Sequence, residues 1–189
     1  MSWRGDTGRD GTERLVDRYH PKTFEKVVGQ PDTVAGLVRQ VRSERPRSLL
    51  LTGPTGTGKT TVAGIVARAL LCERITESGS PCLACSNCIS FADGNPLNYE
   101  KYNCALSNFG VSELTGMLES SRANRLGGRV RVYFLDEAHN LSQKAFDSLL
   151  GVLDTPRHRV FILASTQADR IPKPVRNRLT HYKLKLLRP

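Results

Sequence analysis

No run in this chain of 189 residues approaches the roughly 18 consecutive apolar residues that a membrane-crossing helix needs, so a helical membrane span is excluded. The opening segment, Met1 to Arg14, is polar and charged and lacks the apolar core of a secretory signal. Residues 1–17 are expected to form a disordered leader and the chain to be cytoplasmic. Acidic residues are scarce: 18 Asp and Glu stand against 28 Lys and Arg, a formal charge of +10. That balance disfavours a cationic partner and favours an anionic one such as nucleic acid. The basic residues are spread out, with modest clusters at 39–47, 122–131 and 170–188, and a solvated basic surface explains each cluster equally well. Hydrophobic content of 39% and charged content of 24% describe an ordinary globular protein and name no function. The length suits one α/β core with an insertion.

What is present is more specific. Gly53-Pro-Thr-Gly-Thr-Gly-Lys59-Thr60 lies between an apolar run, Ser48 to Leu51, and Val62, Ile65, Val66, Ala69 and Leu70 at helical spacing. A strand, a glycine turn and a helix start suit a nucleotide triphosphate: glycines let backbone N–H groups converge, and the helix terminus adds partial positive charge. The pattern assigns Gly53, Gly56, Thr57, Gly58 and Thr61 to the phosphate cradle, Lys59 to the outer phosphates and Thr60 to Mg²⁺. A glycine-rich helix cap without ligand is the bland alternative.

Four cysteines fall as Cys72, Cys82, Cys85 and Cys88, a gap followed by two overlapping C-x-x-C pairs. Four thiolates close a tetrahedral shell around Zn²⁺ and leave no open position, so the site would be structural. Gly79, Ser80, Pro81, Ser86 and Asn87 suit a knuckle, at about residues 72–90, too small to bury a core without metal. A disulfide pair or a redox C-x-x-C are the alternatives. Cys104 stands apart and reads as a small core residue.

Val130 to Leu135 reads as a strand ending on Asp136-Glu137. If it lies beside the phosphate-loop strand, it delivers Asp136 towards Mg²⁺, while Glu137 polarises the attacking water. A solvated strand-to-helix turn is the simpler alternative. Ser142 is the expected N-cap of a helix with Ala145, Phe146, Leu149, Leu150 and Leu153 on one face. Val160 to Thr166 reads as another buried strand, with terminal hydroxyls able to sense a γ-phosphate. Arg176 and Arg178 precede a last strand expected at His181 to Leu187; either arginine could reach a neighbour's site as a finger or sit in a surface salt bridge.

Together these residues resemble the nucleotide-binding domain of the gamma/tau subunit of the bacterial DNA polymerase III clamp loader, within the AAA+ ATPases. The resemblance covers nearly everything from Arg18, with 18–189 as the nucleotide-binding domain. It runs from Arg18-Tyr-His-Pro-Lys-Thr-Phe24 and Val27-Val-Gly-Gln30 through the phosphate loop, the four cysteines, the Asp136-Glu137 box and Pro156. It ends at Ala-Ser-Thr166 and Asn177-Arg178-Leu179. The related delta-prime subunit shares the cysteines but typically has a degraded loop, whereas this loop is whole. The resemblance implies a P-loop NTPase fold of AAA+ type, a mostly parallel sheet flanked by helices with a small zinc insertion. By position it implies Arg18 and Val28 at the nucleotide, Lys59, Thr60 and Asp136 for phosphate and Mg²⁺, Glu137 as base, Thr166 as sensor and Arg178 as a finger in trans. Implied cofactors are ATP, Mg²⁺ and Zn²⁺; implied partners are other clamp-loader subunits, alike or different, a sliding clamp and primed DNA. The family's helical lid and collar are expected to be absent by Pro189. A non-hydrolysing, nucleotide- and zinc-bound interaction subunit, or another AAA+ ATPase of DNA metabolism, remains the alternative.

Overall fold

A computed structural model describes residues 20–106, 110–123, 130–154 and 158–187. Its centre is a five-stranded sheet with every pairing parallel: β1 (Leu49–Thr52), β2 (Tyr99–Asn103), β3 (Arg131–Asp136), β4 (Arg159–Ser165) and β5 (Thr180–Lys183), in the order β2-β3-β4-β1-β5. Parallel strands need crossovers, which the helices supply: α1 (Pro31–Arg42), α2 (Lys59–Leu71), α3 (Ser86–Ala92), α4 (Val111–Ala123), α5 (Gln143–Leu153) and α6 (Lys173–Arg176).

Alternating strand residues feed two cores. Val132, Phe134, Val160, Ile162 and Ala164 join Leu49 and Leu51 against Leu37 of α1 and Val62, Ile65, Val66 and Ala69 of α2. Their neighbours Tyr133, Leu135, Phe161, Leu163 and Leu50 face the other way, against Leu114 of α4, Phe146 and Leu149 of α5 and Val175 of α6. Helices on both faces explain why β1 and β4 read as unbroken apolar runs. Cys104 is buried in the second core, as its isolation suggests. Ser142 caps α5 as expected, its Oγ accepting from the Ala145 N–H at 3.3 Å.

Two expectations need correction. β3 does not lie beside β1, because β4 is inserted between them. The last strand is Thr180–Lys183 rather than His181 to Leu187: Leu184 is the last residue to follow β1, its N–H donating to the Thr52 carbonyl at 2.7 Å. From there the chain turns to Gln30, whose side chain donates to the Lys185 carbonyl at 2.6 Å and accepts from the Lys185 N–H at 3.2 Å.

Candidate functional site

All five parallel strands point their carboxyl ends to one edge, and the expected phosphate residues collect there. The loop between β1 and α2 is glycine-rich for two separate reasons. Gly56 and Gly58 hold φ of +80° and +85°, where a side chain is strained. Gly53 is set by a close approach, since a Cβ there would lie 2.5 Å from the Leu184 carbonyl oxygen. The Thr57 hydroxyl donates to the Pro54 carbonyl at 2.9 Å. Lys59 is buried, and its ammonium donates to the carbonyls of Gly53 and Pro54, each at 2.8 Å. Burial lowers the Lys59 pKa, while the carboxylates of Glu137 and Asp136 oppose that shift.

Although β4 separates their strands, Thr60 and Asp136 meet: the Thr60 hydroxyl donates to Asp136 Oδ2 at 3.0 Å. Asp136 Oδ1 accepts from the Glu137 N–H at 3.1 Å. A hydroxyl and a carboxylate converging on one point are hard oxygen donors of the kind Mg²⁺ takes alongside phosphate oxygens. Glu137 sits at φ +51°, a left-handed conformation that turns the chain sharply out of β3. Its Oε2 lies 3.5 Å from the Thr166 hydroxyl and 3.4 Å from His139 Nδ1. Thus the carboxylate proposed as base, the hydroxyl proposed as sensor and the phosphate loop share one edge.

Other residues close the site's flank. His20 Nε2 is 3.0 Å from the Thr61 hydroxyl, which brings the amino-terminal segment onto the first turn of α2. Val28 is exposed beside Gly29, whose hydrogen side faces Leu187. Arg18 and Pro156 lie outside the described residues.

Arg178 lies elsewhere. Its guanidinium grips Asp154 at the end of α5, Nε to Oδ1 at 2.5 Å and Nη2 to Oδ2 at 2.9 Å, with Nη1 donating to the Pro174 carbonyl at 3.1 Å. The surface salt bridge considered from sequence is therefore formed. The pair lowers the Asp154 pKa and raises that of Arg178. Arg176 turns towards the segment after β4, its Nη1 3.8 Å from Asp169 Oδ1.

The four cysteines come together where α2 ends. Cys72 caps that helix and Cys85 and Cys88 start α3; the four sulfurs lie within 4.8 Å of one another, and all are free thiols. Sulfurs at about 2.3 Å from a tetrahedral Zn²⁺ are about 3.8 Å apart. The Cys72 and Cys85 sulfurs are 3.9 Å apart, so the cluster fits that ion. Backbone N–H groups already point at sulfur, from Cys82 to Cys72 and from Cys85 to Cys82, each at 3.3 Å. Such donors, with the Ala84 N–H foremost, bring the Cys82 pKa down to about 6, whereas burial raises those of Cys72 and Cys88.

A family model described as DNA polymerase III, delta subunit, matches residues 29–188. The chain belongs to that family. Similar curated proteins of the DNA polymerase III family include the subunit gamma of Buchnera aphidicola, 34% identical over 92% of this chain and 48% of that protein. They also include the subunit gamma/tau of Mycobacterium tuberculosis, 33% identical over 93% of this chain and 31% of that protein. The chain thus spans about half or less of the length of these relatives. Among solved structures, the Thermotoga maritima RuvB Holliday junction branch migration motor superposes with a TM-score of 0.60, at 21% identity, over 89% of this chain and 48% of that one. A DNA polymerase III gamma subunit-related protein of the same organism gives 0.55 at 12% identity, over 82% and 46%. These likenesses establish the AAA+ P-loop fold.

Within this DNA polymerase III relative, one residue beside Glu137 went unassigned in the sequence. His139 is almost buried and its Nδ1 lies 3.2 Å from the Ser165 hydroxyl, which in turn accepts from the Gln167 N–H at 3.0 Å. His139 stands in the quoted Asp-Glu-Ala-His run, but its contact with Ser165 depends on β3 and β4 being neighbours.

Proposed function

We propose that this chain binds ATP with Mg²⁺ and hydrolyses it as the nucleotide-binding part of a clamp-loader subunit of DNA polymerase III type, acting with other loader subunits on a sliding clamp and primed DNA. The observation that carries the reading is the meeting of Thr60 with Asp136 next to Glu137, at the mouth of an intact phosphate loop. Backbone N–H groups of residues 56–60 and the start of α2 face the phosphates. Lys59 exchanges two carbonyl partners for phosphate oxygens, which restores a charged partner to a buried ammonium. Thr60 and Asp136 would hold Mg²⁺, which would neutralise charge on the phosphates. Glu137 accepts the proton of the attacking water, and Thr166 and His139 fix its carboxylate. Val28 and Arg18 flank the base, and Arg178 completes a neighbour's site in trans once it leaves Asp154. Zn²⁺ held by Cys72, Cys82, Cys85 and Cys88 is structural, since four thiolates leave no open position.

The test is steady-state ATP hydrolysis by the chain with loader partners and primed DNA, beside Glu137→Gln. Glu137→Gln is expected to cut turnover by about 10²-fold or more while ATP still binds. ATP binding without turnover by the unmutated chain, even with partners and primed DNA, would favour the non-hydrolysing interaction subunit instead.

A further inference from the structure

Zn²⁺ on four thiolates leaves negative charge in excess, and the cysteine module does not answer that charge by itself. Cys72, Cys85 and Cys88 are buried, where an uncompensated charge is costly. Within residues 72–94 the charged side chains are Glu73, Glu77 and Asp93 against Arg74 alone, all exposed. The module's own side chains therefore add negative charge rather than offset it. Backbone N–H groups of Cys82 and Cys85 bond to sulfur, but these are dipoles without net charge.

A cation reaches the cluster from outside the module. Arg68 lies on α2 one turn before Cys72, and residues four apart share a helix face. Its guanidinium carbon sits 4.9 Å from the centre of the Phe91 ring, and Phe91 lies on α3 three residues beyond Cys88, again on a shared face. Phe91 in turn packs on Tyr99 at the start of β2, ring centres 4.7 Å apart, so the surface under the guanidinium is fixed by the sheet. The two helices thus bring one guanidinium to the side of the cluster that Cys72 and Cys88 form. Among the described residues Arg68 makes no ion pair with a carboxylate. Burial lowers its pKa, and the Cys88 thiolate is the one charge that opposes the shift.

We propose that Arg68 is the counter-charge of the metal-bound thiolates and that Phe91 orients it for that purpose. The inference rests on the zinc reading above and adds a residue that the cysteine spacing does not contain. A guanidinium beside the sulfurs favours four metal-bound thiolates over the empty cluster, as outer partners of a metal site do. The charge is supplied by α2, whose opposite end carries the phosphate loop, and not by the knuckle.

Zn²⁺ affinity, measured on the reduced full chain by competition with a chromophoric chelator, tests this with two variants of one position. Arg68→Met keeps a long stem to pack on Phe91 and removes the charge, whereas Arg68→Lys keeps the charge. Affinity is expected to fall about tenfold or more in Arg68→Met and to stay within about threefold of the unaltered chain in Arg68→Lys. Arg74→Met, an equal loss of charge at an exposed side chain between Cys72 and Cys82, should change it less than about twofold. Co²⁺ in place of Zn²⁺ should give the same sulfur-to-metal charge-transfer absorption in every variant, so that lost affinity is not lost ligation. Full affinity in Arg68→Met overturns the counter-charge, as does an equal loss in Arg74→Met. An equal loss in Arg68→Lys, or an altered Co²⁺ spectrum in Arg68→Met, overturns it too, because the residue then acts through packing or ligand geometry. Elemental analysis separates the two levels of failure. An unaltered chain without Zn²⁺ removes the zinc reading and the counter-charge with it, while one Zn²⁺ per chain held equally well by Arg68→Met removes the counter-charge alone.

Discussion

The two ends of α2 hold two sites of opposite character. At its amino end the phosphate loop is anchored by strands, by Gly53 against Leu184 and by Lys59 on two carbonyls, with a large apolar core behind it. At its carboxyl end the cysteine module has a cluster of only Cys72, Cys85 and Cys88, with Ile75 and Cys82 packed against it. The first site is held by strands and backbone carbonyls; the second gathers four thiols, of which burial raises the pKa of Cys72 and Cys88. A Zn²⁺ ion bound there, as proposed, would displace the thiol protons and neutralise the resulting thiolate charge. One helix therefore joins a phosphate loop anchored by strands and core to a cysteine cluster that, on the proposed reading, a metal ion completes.

The largest effect should come from removing that ligand. Chelation, or Cys88→Ala, is expected to abolish the bound Zn²⁺, one per chain by elemental analysis, and to cost several kcal/mol of stability in the module. Thermal melts should then show an early transition for the module while the sheet holds; a single unshifted transition would erase the contrast. Next, Gly53→Ala attacks the strand-anchored end. With φ at +152° and a backbone oxygen 2.5 Å from the new Cβ, it should cost about 1–3 kcal/mol and lower ATP affinity without touching metal content. Retention of full stability and affinity would mean that Leu184 yields easily.

The smallest effect concerns the seam between the sites. Glu25 accepts hydrogen bonds from Ser78 and Ser80, the latter at 2.7 Å, and fastens the root of the module to the segment that leads to Val28. These bonds, that from Ser78 first, hold its carboxyl at about 2, below its ordinary 4.5. A depressed folded pKa means that the stabilisation is complete above about pH 4.5 and is lost as pH falls towards 2. Glu25→Gln should accordingly flatten the fall in melting temperature between pH 5 and about pH 2.5 by a modest amount, since the group is exposed. An unchanged acid slope would show that Glu25 does not fasten the module.

Local signals made much of this legible. Gly53 to Thr60, Asp136-Glu137 and the cysteine spacing are short-range patterns whose chemistry depends on residues close in sequence. Strand order was not of that kind: nothing between Val130 and Thr166 says that β4 enters between β1 and β3, so the path by which Asp136 reaches Thr60 was misread. Long-range partners were equally hidden. Arg178 with Asp154, Glu25 with Ser80, Gln30 with Lys185 and Gly53 with Leu184 are meetings that only the closed sheet defines. The glycine at position 53 was assigned to the phosphate cradle, but its close approach is to the chain's own carboxyl-terminal segment.

Hydrogen exchange followed by mass spectrometry, on zinc-loaded and zinc-stripped chains without nucleotide, tests the contrast most directly. Slow exchange across residues 49–66 and 159–165 in both forms, with protection over 82–92 lost only on stripping, is the predicted result. Protection over 82–92 that survives stripping, or fast exchange at 49–66 before nucleotide is added, would contradict it.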